Sequence, residues 1–140
     1  MAKINLRNSK TLGDYDKPYI VAEMNTSHFG NLETAKMMID KAKNAGCDCV
    51  KFQSWSVESL YSKTYYDANP IAKRFVKGFS FDEKELIDIL EYCQKIEIDF
   101  ASTPYSKEEV DFLVAKQNVP YIKIASMDVN NFDYLRYIAK

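Results

Sequence analysis

Short apolar runs and amphipathic helical stretches alternate four times along this chain, and that alternation limits what it can fold into more than any other feature. The first run is residues 19–24, Tyr-Ile-Val-Ala-Glu-Met. Behind Asn31, the apolar positions Leu32, Ala35, Met38, Ile39 and Ala42 follow at three- and four-residue spacing, which predicts a helix. Gly46 ends it, as a residue tolerant of left-handed geometry should. Residues 47–53 read as the second strand, 98–102 as the third, closed by Thr103 and Pro104, and 120–125 as the fourth. One helix between them carries Leu86, Ile89, Leu90, Cys93 and Ile96 on a stripe, and another carries Val110, Leu113 and Val114. The last helix is predicted over about 131–140, burying Phe132, Leu135 and Ile138. Two capping boxes are predicted, Ser80 with Glu83 and Ser106 with Glu109, in which hydroxyl and carboxylate satisfy orphan amides reciprocally. Residues 54–79 hold Tyr61, Tyr65, Tyr66 and Pro70 without a clear period, and a segment of that length is usually functional or partly helical. Residues 3–6 read as an extra strand or hairpin arm.

Strands that alternate with helices imply a parallel sheet with helical crossovers. No strand here runs into a Gly-x-Gly-x-x-Gly turn or a Gly-Lys-Ser loop, so nucleotide-binding doubly wound folds lose ground to a (β/α) barrel. A full barrel takes eight units in about 250 residues. The expectation is therefore an α/β chain of TIM-barrel type, with residues 1–140 forming its first four (β/α) units, a half-barrel.

Composition narrows the functional classes. Nineteen Lys and Arg against 20 Asp and Glu leave a formal charge of −1, which argues against a nucleic-acid or membrane-surface partner. No apolar run is long enough to span a bilayer, and the first ten residues lack the apolar stretch of a signal peptide, so a cytoplasmic location is expected. Cys47, Cys49 and Cys93 are odd in number and Cys47-Asp48-Cys49 is not a zinc spacing, so they read as small buried hydrophobes. With a single histidine, His28, no site of several imidazoles can be built from one chain.

Functional residues in such sheets gather at the carboxyl ends of strands. Glu23 lies there on the first strand, Lys51 and Gln53 on the second, Ser102 and Thr103 on the third, and Lys123 and Ser126 on the fourth. A lysine inside an apolar strand carries a desolvation penalty unless an anion faces it. Two readings follow for Lys51 and Lys123: a structural ion pair such as Glu23 with Lys51, or an anionic ligand, phosphate plus carboxylate, held between two ammonium groups with Ser and Thr hydroxyls as further donors. Glu23 beside them is a candidate general acid/base. His28 either bonds substrate or pins its own loop. Tyr65, Tyr66, Asp67 and Asn69 read equally as a lid or as a loop packed by its own aromatics.

Four stretches in one order carry a resemblance: 19–31 (Tyr-Ile-Val-Ala-Glu-Met-Asn-Thr-Ser-His-Phe-Gly-Asn), 42–53 (Ala-Lys-Asn-Ala-Gly-Cys-Asp-Cys-Val-Lys-Phe-Gln), 100–106 (Phe-Ala-Ser-Thr-Pro-Tyr-Ser) and 119–126 (Val-Pro-Tyr-Ile-Lys-Ile-Ala-Ser). Together they resemble the sialic acid synthase family of N-acetylneuraminate, legionaminate and pseudaminate synthases. The resemblance implies a TIM barrel that condenses phosphoenolpyruvate with an N-acylated amino sugar such as N-acetylmannosamine. The product is a nine-carbon 2-keto sugar acid, and phosphate leaves after C–O cleavage. It implies a divalent metal, manganese or magnesium, that polarises the sugar aldehyde. It places Lys51, Thr103, Lys123 and Ser126 on phosphoenolpyruvate and Glu23 at the reacting carbons, with Gln53, Ser102 and Asp128 as supports and Asn69 near the sugar.

The sequence departs from the family at Ser27, where an Asn is usual, and at Ser126-Met127-Asp128, where Ser-Gly-Glu is common; both bear on substrate subtype rather than on the reaction. The family's metal-binding histidines and its antifreeze-like domain lie beyond the four units. The expectation is that residues 1–140 alone hold no metal site and are inactive, and that an exposed half-barrel pairs with a second copy or a complementary half. A related barrel making a shorter keto acid and a non-catalytic half-barrel binding module are the alternatives. Turnover of phosphoenolpyruvate and an amino sugar by the purified chain with added manganese would overturn the expected inactivity.

Overall fold

Val50 and Phe52 are fully buried, and the two-residue period of a strand puts them on one face while Cys49, Lys51 and Gln53 take the other. That division organises the molecule. The computed structural model describes residues 2–116 and 119–140. A short hairpin of β1 (Lys3–Asn5) and β2 (Thr11–Gly13) precedes a parallel sheet of β3 (Val21–Glu23), β4 (Cys49–Ser54) and β5 (Asp99–Pro104), with β4 in the middle. The register sets Glu23 beside Lys51, Lys51 beside Ala101, and Gln53 beside Thr103. Helix α1 (Leu32–Asn44) joins β3 to β4; α2 (Val57–Leu60), α3 (Lys63–Ala68), α4 (Pro70–Phe79) and α5 (Glu83–Lys95) lie between β4 and β5; α6 (Lys107–Lys116) and α7 (Phe132–Ile138) follow.

The core lies between the sheet and α1 and α5. Ala35, Ile39, Leu86, Ile89, Leu90 and Cys93 pack there on Val50, Phe52 and Phe100. Truncating the fully buried Phe52 would cost about 3–5 kcal/mol by the usual cavity arithmetic. On the opposite end of the sheet from the strand exits, the hairpin grips Asp99: Asn8 Nδ2 and Lys10 Nζ donate to its Oδ2 at 2.8 and 2.7 Å, and Tyr19 adds its hydroxyl. The expected hairpin arm is thus present, and it ties the chain's start to the start of β5.

Three expectations need correction. Residues 120–125 form no ladder: a single parallel bridge joins Ser102 to Ile122, with the Lys123 N–H donating to the Ser102 carbonyl at 3.2 Å. Pro120 has no N–H to donate, and its carbonyl accepts from the Arg7 N–H at 3.0 Å rather than from a strand of the sheet. The sheet is therefore partial and no barrel closes among the described residues. The cap of α5 is Asp82 with Glu85, not Ser80 with Glu83; Phe81 turns into the core, which moves the helix start on by two residues, and Ser80 instead ends α4. In α7 the buried residue is Tyr134, while Phe132 is 65% exposed. Residues 54–79, expected to be functional or partly helical, do hold helix: they fold into the three short helices α2 to α4, with Tyr61, Tyr65 and Tyr66 packed ring on ring at 4.6–6.1 Å.

Helix α1 ends as the sequence predicts. Gly46 is left-handed at φ +84°, its N–H donates to Lys43 O and that of Cys47 to Ala42 O, both at 3.0 Å. Helix α5 repeats the motif with Glu97 at φ +59°. Gly30, at φ +69°, faces the Gly78 carbonyl so closely that a Cβ would collide with it. In urea unfolding, Gly46→Ala should cost about 1–2 kcal/mol, Gly30→Ala more because of that backbone collision, and Glu97→Gly should stabilise by about 1 kcal/mol. Equal costs for the two glycines would refute the Gly30–Gly78 approach.

Candidate functional site

The polar face of β4 becomes a site because its neighbours bring the right partners to the strand ends. Lys51, 8% exposed, sends Nζ to Glu23 Oε2 at 2.5 Å and donates to Thr103 Oγ1 at 3.4 Å. The structure therefore makes the Glu23–Lys51 ion pair. The carboxylate half of it is open, its side chain 48% exposed, and Glu23 Oε1 accepts from the Asn25 N–H at 3.2 Å. Ala101 stands next to Lys51 in the register and offers only a methyl group, so the polar contacts of Lys51 come from Glu23 and Thr103.

Lys123 arrives through the Ser102–Ile122 bridge, which places it beside Thr103. Its side chain is exposed and its Nζ donates to the Ile124 carbonyl at 2.6 Å, so it is not a lysine inside an apolar strand. Ser126 and Asp128 lie on a short 3-10 turn, Ser126–Asp128, with Ser126 exposed and Asp128 half-buried. Gln53 is half-buried on the face of Lys51.

Three other candidates are held by contacts of their own. Ser102 is fully buried on the helix side, beside Phe52 in the register, and shares a 2.6 Å hydrogen bond with the Ser54 hydroxyl. Asn69 joins α3 to α4 and donates from Nδ2 to the Tyr65 carbonyl at 3.0 Å. His28 is 2% exposed, stacked on Phe81 at 4.2 Å and tilted against Phe52 at 5.8 Å. Its Nδ1 accepts from the Gly30 N–H at 3.0 Å, and burial holds its pKa below the ordinary imidazole value. Of its two readings, the structure makes His28 the pin of its own loop.

Two residues that spacing did not single out border the site. Tyr105 follows β5 directly, and burial together with the nearby charges of Asp128, Glu23 and Glu109 pushes its hydroxyl up to about 12, so it stays a protonated donor at neutral pH. The 100–106 stretch contained it. Glu109 caps its own helix as predicted, Ser106 Oγ accepting from the Glu109 N–H at 3.2 Å, but it also reaches another loop. Cys49 and Cys93 are buried free thiols pushed up to about 12 by desolvation, while Cys47 is half-buried. Among the described residues no group of three or more His, Cys, Asp or Glu could hold a metal ion, and the one imidazole is committed to its loop. No helix among them is long and apolar enough to cross a membrane.

Because the folded state disfavours imidazolium at His28, the unfolded chain binds that proton first. Stability from this group is present above about pH 6.5 and is lost as pH falls below it, by at most about 1.4 kcal/mol per pH unit. Thermal melts between pH 7.5 and 5 should show the fall in wild type and a flatter slope in His28→Gln; identical slopes would refute a buried neutral His28.

Comparison with known proteins supplies the context. The sequence pattern of the NeuB family matches residues 38–140. N-acetylneuraminate-9-phosphate synthase of Drosophila melanogaster is 34% identical over 132 residues, which are 89% of this chain and 35% of that protein. Pseudaminic acid synthase of Campylobacter jejuni is 33% identical over 139 residues, 89% of this chain and 38% of that protein. The crystal structure of N-acetylneuraminic acid synthetase from Leptospira borgpetersenii, in complex with citrate, superposes with a TM-score of 0.86 at 31% identity, covering 99% of this chain and 46% of that one. The chain thus spans less than half the length of each of these relatives.

Proposed function

This chain belongs to the NeuB family of sialic acid and related nonulosonate synthases, and on that premise we propose that it supplies the phosphoenolpyruvate side of a condensing site. The reaction joins C3 of phosphoenolpyruvate to the aldehyde carbon of an N-acylated amino sugar, water adds at C2, and the C–O bond to phosphate breaks, giving a nine-carbon 2-keto sugar acid and inorganic phosphate. The reading rests on one observation above all: a buried ammonium, Lys51, held between an open carboxylate and a Thr hydroxyl at the strand ends.

Lys51 and Lys123 supply positive charge on either side of Thr103, which suits a ligand carrying both phosphate and carboxylate. Thr103 and Ser126 add hydroxyl donors. Glu23, hydrogen-bonded and half open, would move a proton near the reacting carbons, with Lys51 holding its orientation. Tyr105 adds a donor that does not ionise at neutral pH. Gln53 and Asp128 flank this set, and Asn69 stands on the loop expected to face the sugar. A divalent metal would polarise the aldehyde in the whole enzyme; the described residues of this chain provide no group of ligands for it, so none of the roles above passes through one. The same reading has the open edge at Val21 and the exposed Phe29, Ile71 and Phe75 covered by a second copy or a complementary half-barrel.

A second reading has its own support. The 2.5 Å Glu23–Lys51 pair is self-sufficient, and a buried lysine matched this way can be purely structural. Calorimetric titration of phosphoenolpyruvate into the chain and into a Lys51→Ala, Lys123→Ala variant separates the two. Binding by wild type and its loss, tenfold or more, in the variant is the expected result. Absence of binding by the folded wild type favours the structural pair.

A further inference from the structure

Glu109 does more than its capping box requires. Within its own turn, Oε2 accepts from the Ser106 N–H at 3.1 Å and from the Tyr105 N–H at 2.6 Å. Its other oxygen, Oε1, accepts from the Ser56 N–H at 3.1 Å, 53 residues earlier in the chain. Ser56 lies two residues beyond the end of β4, and Tyr105 one residue beyond the end of β5. One carboxylate therefore holds three backbone amides that belong to the exits of two adjacent strands.

The surroundings reinforce that joint. The Trp55 ring meets the Tyr105 ring edge to face at 5.8 Å, directly beside the clamped amides. Further back, one residue before Trp55 and three before Tyr105, the Ser54 and Ser102 hydroxyls are bonded at 2.6 Å. Lys51 and Gln53 sit just upstream on β4, and Thr103 just upstream on β5. A capping box would be complete with Ser106 alone, so the bond to Ser56 serves the spacing of the two loops rather than the start of α6.

We infer that Glu109 is a positioning residue for the anion site: by tying the loop after β4 to the loop after β5, it fixes how Lys51 and Thr103 face a common ligand, although it touches none itself. This rests on the reading of that site as one for phosphoenolpyruvate. A carboxylate is the side chain that fits, because it presents acceptors only; the amide of glutamine would aim N–H groups at backbone N–H groups.

The test uses the 140-residue chain and two readouts, phosphoenolpyruvate affinity by calorimetry and the fluorescence of Trp55, the single tryptophan. Glu109→Gln should weaken binding tenfold or more and shift the Trp55 emission. Asp82→Ala removes the cap of α5, which links no two strands, and should leave both readouts within twofold of wild type. Glu109→Asp, which keeps the charge and shortens the reach toward Ser56, should fall between and covers the case in which Glu109→Gln does not fold. Wild-type affinity in both Glu109 variants overturns the inference and leaves the proposed function standing. Equal weakening in Asp82→Ala also overturns it, since loss of any helix cap would then suffice. If the wild type does not bind, the proposed function falls and the role of Glu109 toward this ligand falls with it.

Discussion

A lysine buried in the middle strand of a parallel sheet has to be met by charge, and the three-strand register is set so that Glu23 meets it. Burying an ammonium in apolar surroundings costs several kcal/mol unless an anion and further acceptors compensate. Here the carboxylate comes from β3 and the hydroxyl from β5, so the pairing order β3-β4-β5 is itself what brings both partners to Lys51. A one-residue slip of β4 would send Lys51 into the helix side among Ile39 and Ile89 and bring Phe52 out to the open face. Apolar burial on one face and charge matching on the other thus specify the same register.

The loops depend on a similar economy of few, well-placed groups. The turn after β3 has left-handed backbone at Asn25, Phe29 and Gly30, a conformation unfavourable for the bulky Phe29. His28 holds it by lodging between Phe81 and Phe52 and accepting from the Gly30 N–H. The approach of Gly30 to Gly78 then seats this turn on α4. Glu109 plays the corresponding part for the exits of β4 and β5. The open face is consequently bordered by loops fixed from the helix side, by residues that do not themselves reach the space above Lys51.

Legibility in the sequence followed the range of the interaction. Gly46 and the Ser106–Glu109 box are decided within four residues, and the structure shows both. The polar ends of the strands followed from the two-residue period, so Lys51 and Gln53 share a face as predicted. What the period could not supply was pairing across the sheet. Ser102 points to the helices because β5 is in register with Phe52 and Ser54, and the strand expected over residues 120–125 shrinks to one bridge at an edge that begins with proline. Phe132 is exposed and Tyr134 is the buried residue of α7, its hydroxyl reaching the Ser106 carbonyl at 3.3 Å, a tertiary contact invisible to periodicity. The third bond of Glu109 belongs to the same class.

The register also bears on the order of assembly. The joint between the starts of β3 and β4 closes a separation of 28 residues, as in Ile20 to Asp48, and the joint between β4 and β5 one of 48, as in Ser54 to Ser102. Doubling a loop adds only about 0.6 kcal/mol of closure entropy, so chain length scarcely ranks the two events. The ladders differ more: six paired residues join β4 to β5, and three join β3 to β4. A transition state built on the longer ladder would leave the Glu23 strand to dock last, and the ion pair would then register completion of the sheet rather than nucleate it.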